Sequence, residues 1–179
     1  MTTLTAAPAR STDPAVSRPI RWAAHAAALT LVPSGLWRVA IAVGIPVGWG
    51  AGSGLEADLF PGVWSFYLVA LSAFAEGLGL LSLGLVQRWG EVVPCWIPRL
   101  GGRRIPPLAA VVPAALGAAA VTLVTVPGAF AWSANMTMPG APTGAGWWLM
   151  TVCYAPLLLW GPLLAVVTAA YWRRRRLHG

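Results

Sequence analysis

Two charges lie inside otherwise apolar stretches of this chain, Arg38 and Glu76, and they are the residues best placed to do chemistry. Arg38 closes the run Leu31-Val-Pro-Ser-Gly-Leu-Trp-Arg38, and Glu76 sits in Phe74-Ala-Glu-Gly-Leu-Gly79. A single charge at the centre of a bilayer costs about 2.5–3.5 kcal/mol on an insertion scale, so two of opposite sign are expected to face one another. In helices, Arg38 lies about 10 residues, or about 15 Å, from the outer end of its segment. Glu76 lies about 14 residues, or about 21 Å, from the outer end of the next, a difference that an arginine side chain spans. As structure, the pair is a buried ion pair that fixes the register of the first two helices. As function, Arg38, Glu76 and the Pro33-Ser34-Gly35 turn, where proline removes a backbone donor, line a polar cavity for an anionic ligand, an ion or a proton. A carboxylate neutralised by arginine keeps its charge, which argues against Glu76 as a proton carrier while the pair is closed.

Other candidates are thinner. His25 lies about one turn inside the first segment, where a lone histidine reads as an interfacial hydrogen-bonding residue. Met136 and Met138 offer two thioethers without Cys or His support, a poor copper site, so no metal is expected. Cys95 and Cys153 form no Cys-x-x-Cys pair and lack the minimum parts of a thiol oxidoreductase. Asn135-Met-Thr137 fits a glycosylation acceptor, which carries no weight in a bacterial chain. There is no Gly-x-Ser-x-Gly, no His-Glu-x-x-His, no phosphate loop and no Cys/His metal spacing. No catalytic residue and no cofactor is therefore assigned, and nothing positive argues for an enzyme.

The elements that must position Arg38 and Glu76 follow from composition. The 179 residues are 58% hydrophobic and 9% charged, with a mean hydropathy of +0.69, against roughly 25% charged in an ordinary soluble domain. Such a chain has too little polar surface to cover a water-facing globule, but enough length for several crossings of about 20 residues each. Four apolar segments are read as helices at about 22–48, 62–87, 107–132 and 147–172, in two hairpins, giving an all-α polytopic membrane protein. Residues 1–21 are read as a disordered cytoplasmic tail, 88–106 as a cytoplasmic connector and 173–179 as a basic cytoplasmic tail. Pro33 and Gly35 predict a kink or opened turn in the first helix. Glycines 77, 79 and 84 give the second helix a thin face, and Ala110, Ala114 and Ala118 let the third approach a neighbour closely. Trp37 and Trp160 are read as packing residues inside the bundle.

The connector divides the hairpins. Pro94 and Pro98 forbid one continuous helix there, so a broken interfacial segment is expected, with tryptophans in the headgroup zone and arginines towards phosphate. All basic residues are Arg and none is Lys; with 20 Gly and 16 Pro this resembles, by association, the codon bias of a high-GC bacterial genome. Eleven of the twelve arginines fall in the N-terminal tail, the connector and the C-terminus, and the two other loops have none. By the positive-inside rule both termini and the connector are cytoplasmic, in a bacterial inner membrane, and a dual-topology transporter is disfavoured. Headgroup contact is assigned to Arg88, Trp89, Trp96, Arg99, Arg103, Arg104 and the block Arg173, Arg174, Arg175 and Arg176. The net charge of +7 thus finds anionic lipid, and nucleic acid is not expected as a partner. A homo-oligomer or a membrane-protein partner stays open.

The pattern Arg88-Trp-Gly-Glu91, followed by Pro94-Cys-Trp-Ile-Pro-Arg-Leu-Gly-Gly-Arg-Arg-Ile-Pro-Pro107, resembles uncharacterised four-helix integral membrane proteins of high-GC actinobacteria. The resemblance is strongest over 88–107 and looser in the helices. Cys95 departs from it, since Arg is more usual there. It implies four membrane helices and brings no catalytic residue. The sequence thus points to a non-enzymatic structural or accessory membrane component; the alternative is a small transporter or ligand-binding bundle with its polar site at Arg38 and Glu76.

Overall fold

The computed structural model describes residues 16–48, 62–90, 92, 101–135, 137 and 141–177. Several expectations lie outside the described residues: the tail over 1–15, the first loop over 49–61, and Cys95, Trp96, Arg99, Met136, Met138 and His178. Within the described residues the fold is helical, with one isolated antiparallel bridge between Val92 and Arg104 closing the connector.

The helices, in chain order, are α1 (Arg18–Leu29), α2 (Val32–Ala42), α3 (Val63–Leu83), α4 (Pro107–Phe130), a short α5 (Trp132–Asn135), α6 (Ala145–Tyr154) and α7 (Leu157–Leu177). Among the described residues, three stretches are long and apolar enough to cross a membrane: Val63–Leu83, Pro107–Phe130 and Ala145–Arg176. The kink or opened turn expected in the first helix is a full break, leaving two pieces of 12 and 11 residues on either side of Thr30 and Leu31. Pro33 causes the break, because it cannot donate to the carbonyl one turn back and its ring crowds that position. A hydroxyl covers part of the damage: Thr30 Oγ1 donates at 2.7 Å to Ala27 O, which the Leu31 N–H passes over for Ala28 O, while Ser34 Oγ donates at 2.9 Å to Leu31 O beside the Gly35 N–H.

The first segment also stops short of the expected Gly48. Gly44, at φ 81°, takes the left-handed position after α2. Its N–H bonds to Ile41 O at 2.9 Å and that of Ile45 to Ala40 O at 2.9 Å, the paired bonds of a Schellman cap. The fourth segment shows a second break, at Ala155 and Pro156, between α6 and α7. Pro107 opens α4 where the sequence places it, since proline is suited to the first helical turn.

On α3 and α4 packing is inverted relative to a water-soluble domain. In α3 the buried residues are Ser72, Gly79 and Ser82, while Phe66 is 80% and Phe74 65% exposed. In α4 only Ala118 is buried, and Leu123 and Phe130 face outward. Small and polar inside with large and apolar outside is the arrangement of helices solvated by lipid. The alanine stripe behaves as expected: Ala118 is in the core, with Ala110 and Ala114 against it. A methyl on Gly161 of α7 would lie 3.1 Å from Ala118 O and overlap Thr122 Oγ1, so the two backbones nearly touch. Gly79 likewise sits over Ala28 of α1.

The chain pairs as two hairpins. The pieces α1 and α2 pack on α3, and α4 packs on α7. The hairpins meet through their broken segments, with α1 against α7 and α2 against α6. One core cluster holds Ala24, Ala27, Leu31, Trp160, Val167 and Tyr171, and a second holds Trp37, Ile41 and Met150. Trp37 and Trp160 are both buried, as packing residues should be.

Candidate functional site

Three elements converge on Arg38. From α2 its Nε donates to Ser72 Oγ of α3 at 3.1 Å. The Ser72 hydroxyl donates in turn to Leu68 O at 2.8 Å, which leaves its oxygen lone pairs towards the guanidinium. On the other side, Arg38 Cζ lies 5.9 Å from the centre of the Tyr154 ring at the end of α6, within cation–π range. Tyr154 is held by aromatic neighbours, Trp37 edge-on at 5.4 Å and Trp132 tilted at 6.0 Å. Trp132 is fixed in turn, since its Nε1 donates to Thr151 Oγ1 at 3.0 Å.

Glu76 stands one turn beyond Ser72, on the same face of α3. Its carboxylate lies against Gly35 of α2, where a methyl group would meet Oε1 at 2.8 Å. The absent side chain is what seats the carboxylate at the α2–α3 interface. The cluster is therefore Arg38, Ser72, Glu76 and Tyr154, with Gly35 as a seat. Ser34 is fully buried, but its hydroxyl is committed to Leu31 O.

His25 is elsewhere. It is exposed on α1, with Nδ1 2.7 Å from Arg21 O; since a carbonyl only accepts, Nδ1 carries the proton. Gln87 Oε1 accepts from Trp89 Nε1 at 2.6 Å, and Trp89 packs on Gly84. Arg88 belongs to a single 3₁₀ turn over Arg88–Gly90, and Arg103 and Arg104 are exposed. The terminal block divides: Arg173 and Arg176 are exposed, whereas Arg174 and Arg175 are partly buried. Arg174 donates to Leu85 O at 3.3 Å and Arg175 to Ile105 O at 2.9 Å, tying α7 to the turn after α3 and to the far end of the connector.

Sequence reasoning missed Ser72 and Tyr154; it named Gly35 with the opened turn beside Arg38 and Glu76, but not as the seat of the carboxylate. Ser72 had a usable signal, its four-residue spacing from Glu76. Tyr154 had none, because nothing in the order of residues says that α6 faces α2.

Two apolar grooves flank the bundle. One, of about 450 Å³, lies between α4 and the α6–α7 break and has Tyr154 in its wall. The other, of about 500 Å³, lies between α3 and α4 over Trp160 and Leu164. Neither is lined by Arg38 or Glu76. In comparisons with known proteins the chain matches no family model, no curated protein and no solved structure.

Proposed function

We propose that this chain is a multi-pass component of a bacterial cytoplasmic membrane, with four crossings, both termini inside, and a structural or accessory rather than enzymatic role. The observation that carries the role is the capture of Arg38 between helices: its Nε donates to Ser72 of α3 and its guanidinium lies beside the Tyr154 ring of α6. An intramembrane charge engaged by three elements holds a bundle together. The fourth crossing is supported by α1 and α2 together, whose 23 helical residues would extend about 35 Å end to end, against about 30 Å of hydrocarbon.

The test is a set of alkaline phosphatase fusions in cells. A fusion after Leu177 should be inactive, and one inserted in the loop at 141–144 should be active. An active C-terminal fusion would reverse the orientation. A second reading, a ligand-binding bundle, is favoured by Tyr154, which both borders Arg38 and lines a groove. Under it, a membrane extract should raise the melting midpoint of the purified protein, and Tyr154→Leu should abolish the shift.

A further inference from the structure

The inward-facing arginines and the groove between α3 and α4 meet at one place. Leu78 and Leu81 form one wall of that groove and Ala110 and Gly117 the other. Leu85 and Ile105 lie at its connector end, and theirs are the two carbonyls that accept from Arg174 and Arg175. The two guanidiniums flank a single ring, at 5.7 and 6.0 Å from the centre of Tyr171. Arg175 Nε and the Tyr171 hydroxyl are both buried and have no hydrogen-bond partner among the described residues. Buried donors without partners are rare, and they mark places where a ligand can supply the missing acceptor.

We infer that this junction binds one anionic glycerophospholipid of the cytoplasmic leaflet, with an acyl chain in the groove and the phosphate at Arg174 and Arg175. The inference rests on the membrane topology proposed above. Depth fits: from Ile105 to Gly117 the lining runs about 12 residues, or about 18 Å, close to the roughly 15 Å of one leaflet's hydrocarbon. Charge fits as well, since a guanidinium presents several N–H donors and a phosphate several acceptors. A second copy of the chain would bring its own terminal arginines to the same depth, where like charges repel. A zwitterionic lipid would fill the groove but place a cation beside the same arginines.

The experiment titrates delipidated protein in neutral detergent with dioleoyl-phosphatidylglycerol or dioleoyl-phosphatidylcholine and counts bound lipids by native mass spectrometry. One phosphatidylglycerol per chain should bind, about tenfold more tightly than phosphatidylcholine. Gly117→Leu fills the groove, and a Cβ there meets nothing within 4 Å, so this variant should melt as the parent does yet bind the lipid at least about tenfold more weakly. Gly77→Leu, equally open but outside the groove, should bind as the parent. Removing Arg174 and Arg175 together, as Gln, should erase the headgroup preference, while the same change at exposed Arg173 and Arg176 should keep it. Unchanged binding by Gly117→Leu, equal loss from the two arginine pairs, or equal affinity for the two lipids would overturn the site. Release of the protein from membranes by alkaline carbonate would instead overturn the membrane reading, a separate outcome.

Discussion

Removing Arg38 should harm the protein more than removing Glu76. The two side chains are unequally supplied with partners: Arg38 has Ser72 and the Tyr154 ring. The Glu76 carboxylate instead lies against Gly35, which offers it no side chain. Arg38→Leu forfeits a charged hydrogen bond, about 1.5–3 kcal/mol, and also strands a partly buried carboxylate, for a total of about 3–5 kcal/mol. Glu76→Leu leaves the arginine with Ser72 and Tyr154, and the loss should be nearer 1–2 kcal/mol. In Arg38→Leu with Glu76→Leu no charge is stranded, so the double variant should be more stable than Arg38→Leu alone by about 1–2 kcal/mol. The assay is reversible unfolding of the purified protein from mild detergent into increasing mole fractions of dodecyl sulfate, read by circular dichroism. Equal losses from the two single variants would refute the asymmetry, and additive losses in the double variant would refute the coupling.

At the closest helix contact, Gly161→Val would push α7 from Ala118 and Thr122 and should cost about 1–3 kcal/mol, whereas Gly77→Val, with open space at its Cβ, should shift detergent melting little. Trp132→Phe deletes the donor to Thr151; a loss of about 1 kcal/mol is expected, and a neutral result would show that the bond is not formed in the folded protein. The thiols report depth: Cys153 is partly buried within α6 and should react with an impermeant maleimide only after denaturation. Cys95 should react once the inner membrane is opened, and its labelling in intact cells would reverse the orientation derived from the arginines.

How much of this was legible in the sequence varies by element. The second and third segments are close to where the apolar runs place them, and Pro107 marks a helix start to the residue. Hydropathy does not, however, locate a broken hydrogen-bond ladder. Pro33 and Pro156 both end a piece of helix, while Pro113 and Pro127 lie inside α4 without interrupting it. The intramembrane charges were visible because charge is rare there, but their environment was not. Ser72 is 34 residues from Arg38 in sequence, and serine inside an apolar run is unremarkable until its neighbour is known. In the same way four consecutive arginines read identically, yet two of them turn inward to backbone carbonyls and two face out.

The positions of the two breaks explain why the segments pack in the order they do. An interrupted helix frees backbone carbonyls that lipid cannot satisfy, so the interruption must be covered by protein. The interrupted segments, α1–α2 and α6–α7, are the ones through which the hairpins meet, while the uninterrupted α3 and α4 lie to either side. Thr30 and Ser34 bond carbonyls at the first break, and Tyr154 ends α6 at the second, facing Arg38 two turns beyond the first. The polar cluster is thus a product of both interruptions: one leads α2 to bring Arg38 to α3, and the other ends α6 where an aromatic ring can meet its charge. Straightening either break should therefore disturb the cluster more than the helix itself. Pro33→Ala restores a backbone donor and should raise helicity, yet it should weaken the stability difference between Arg38→Leu and the parent, because Arg38 would rotate away from Ser72. An unchanged difference in the Pro33→Ala background would separate the break from the cluster and remove this account of the segment order.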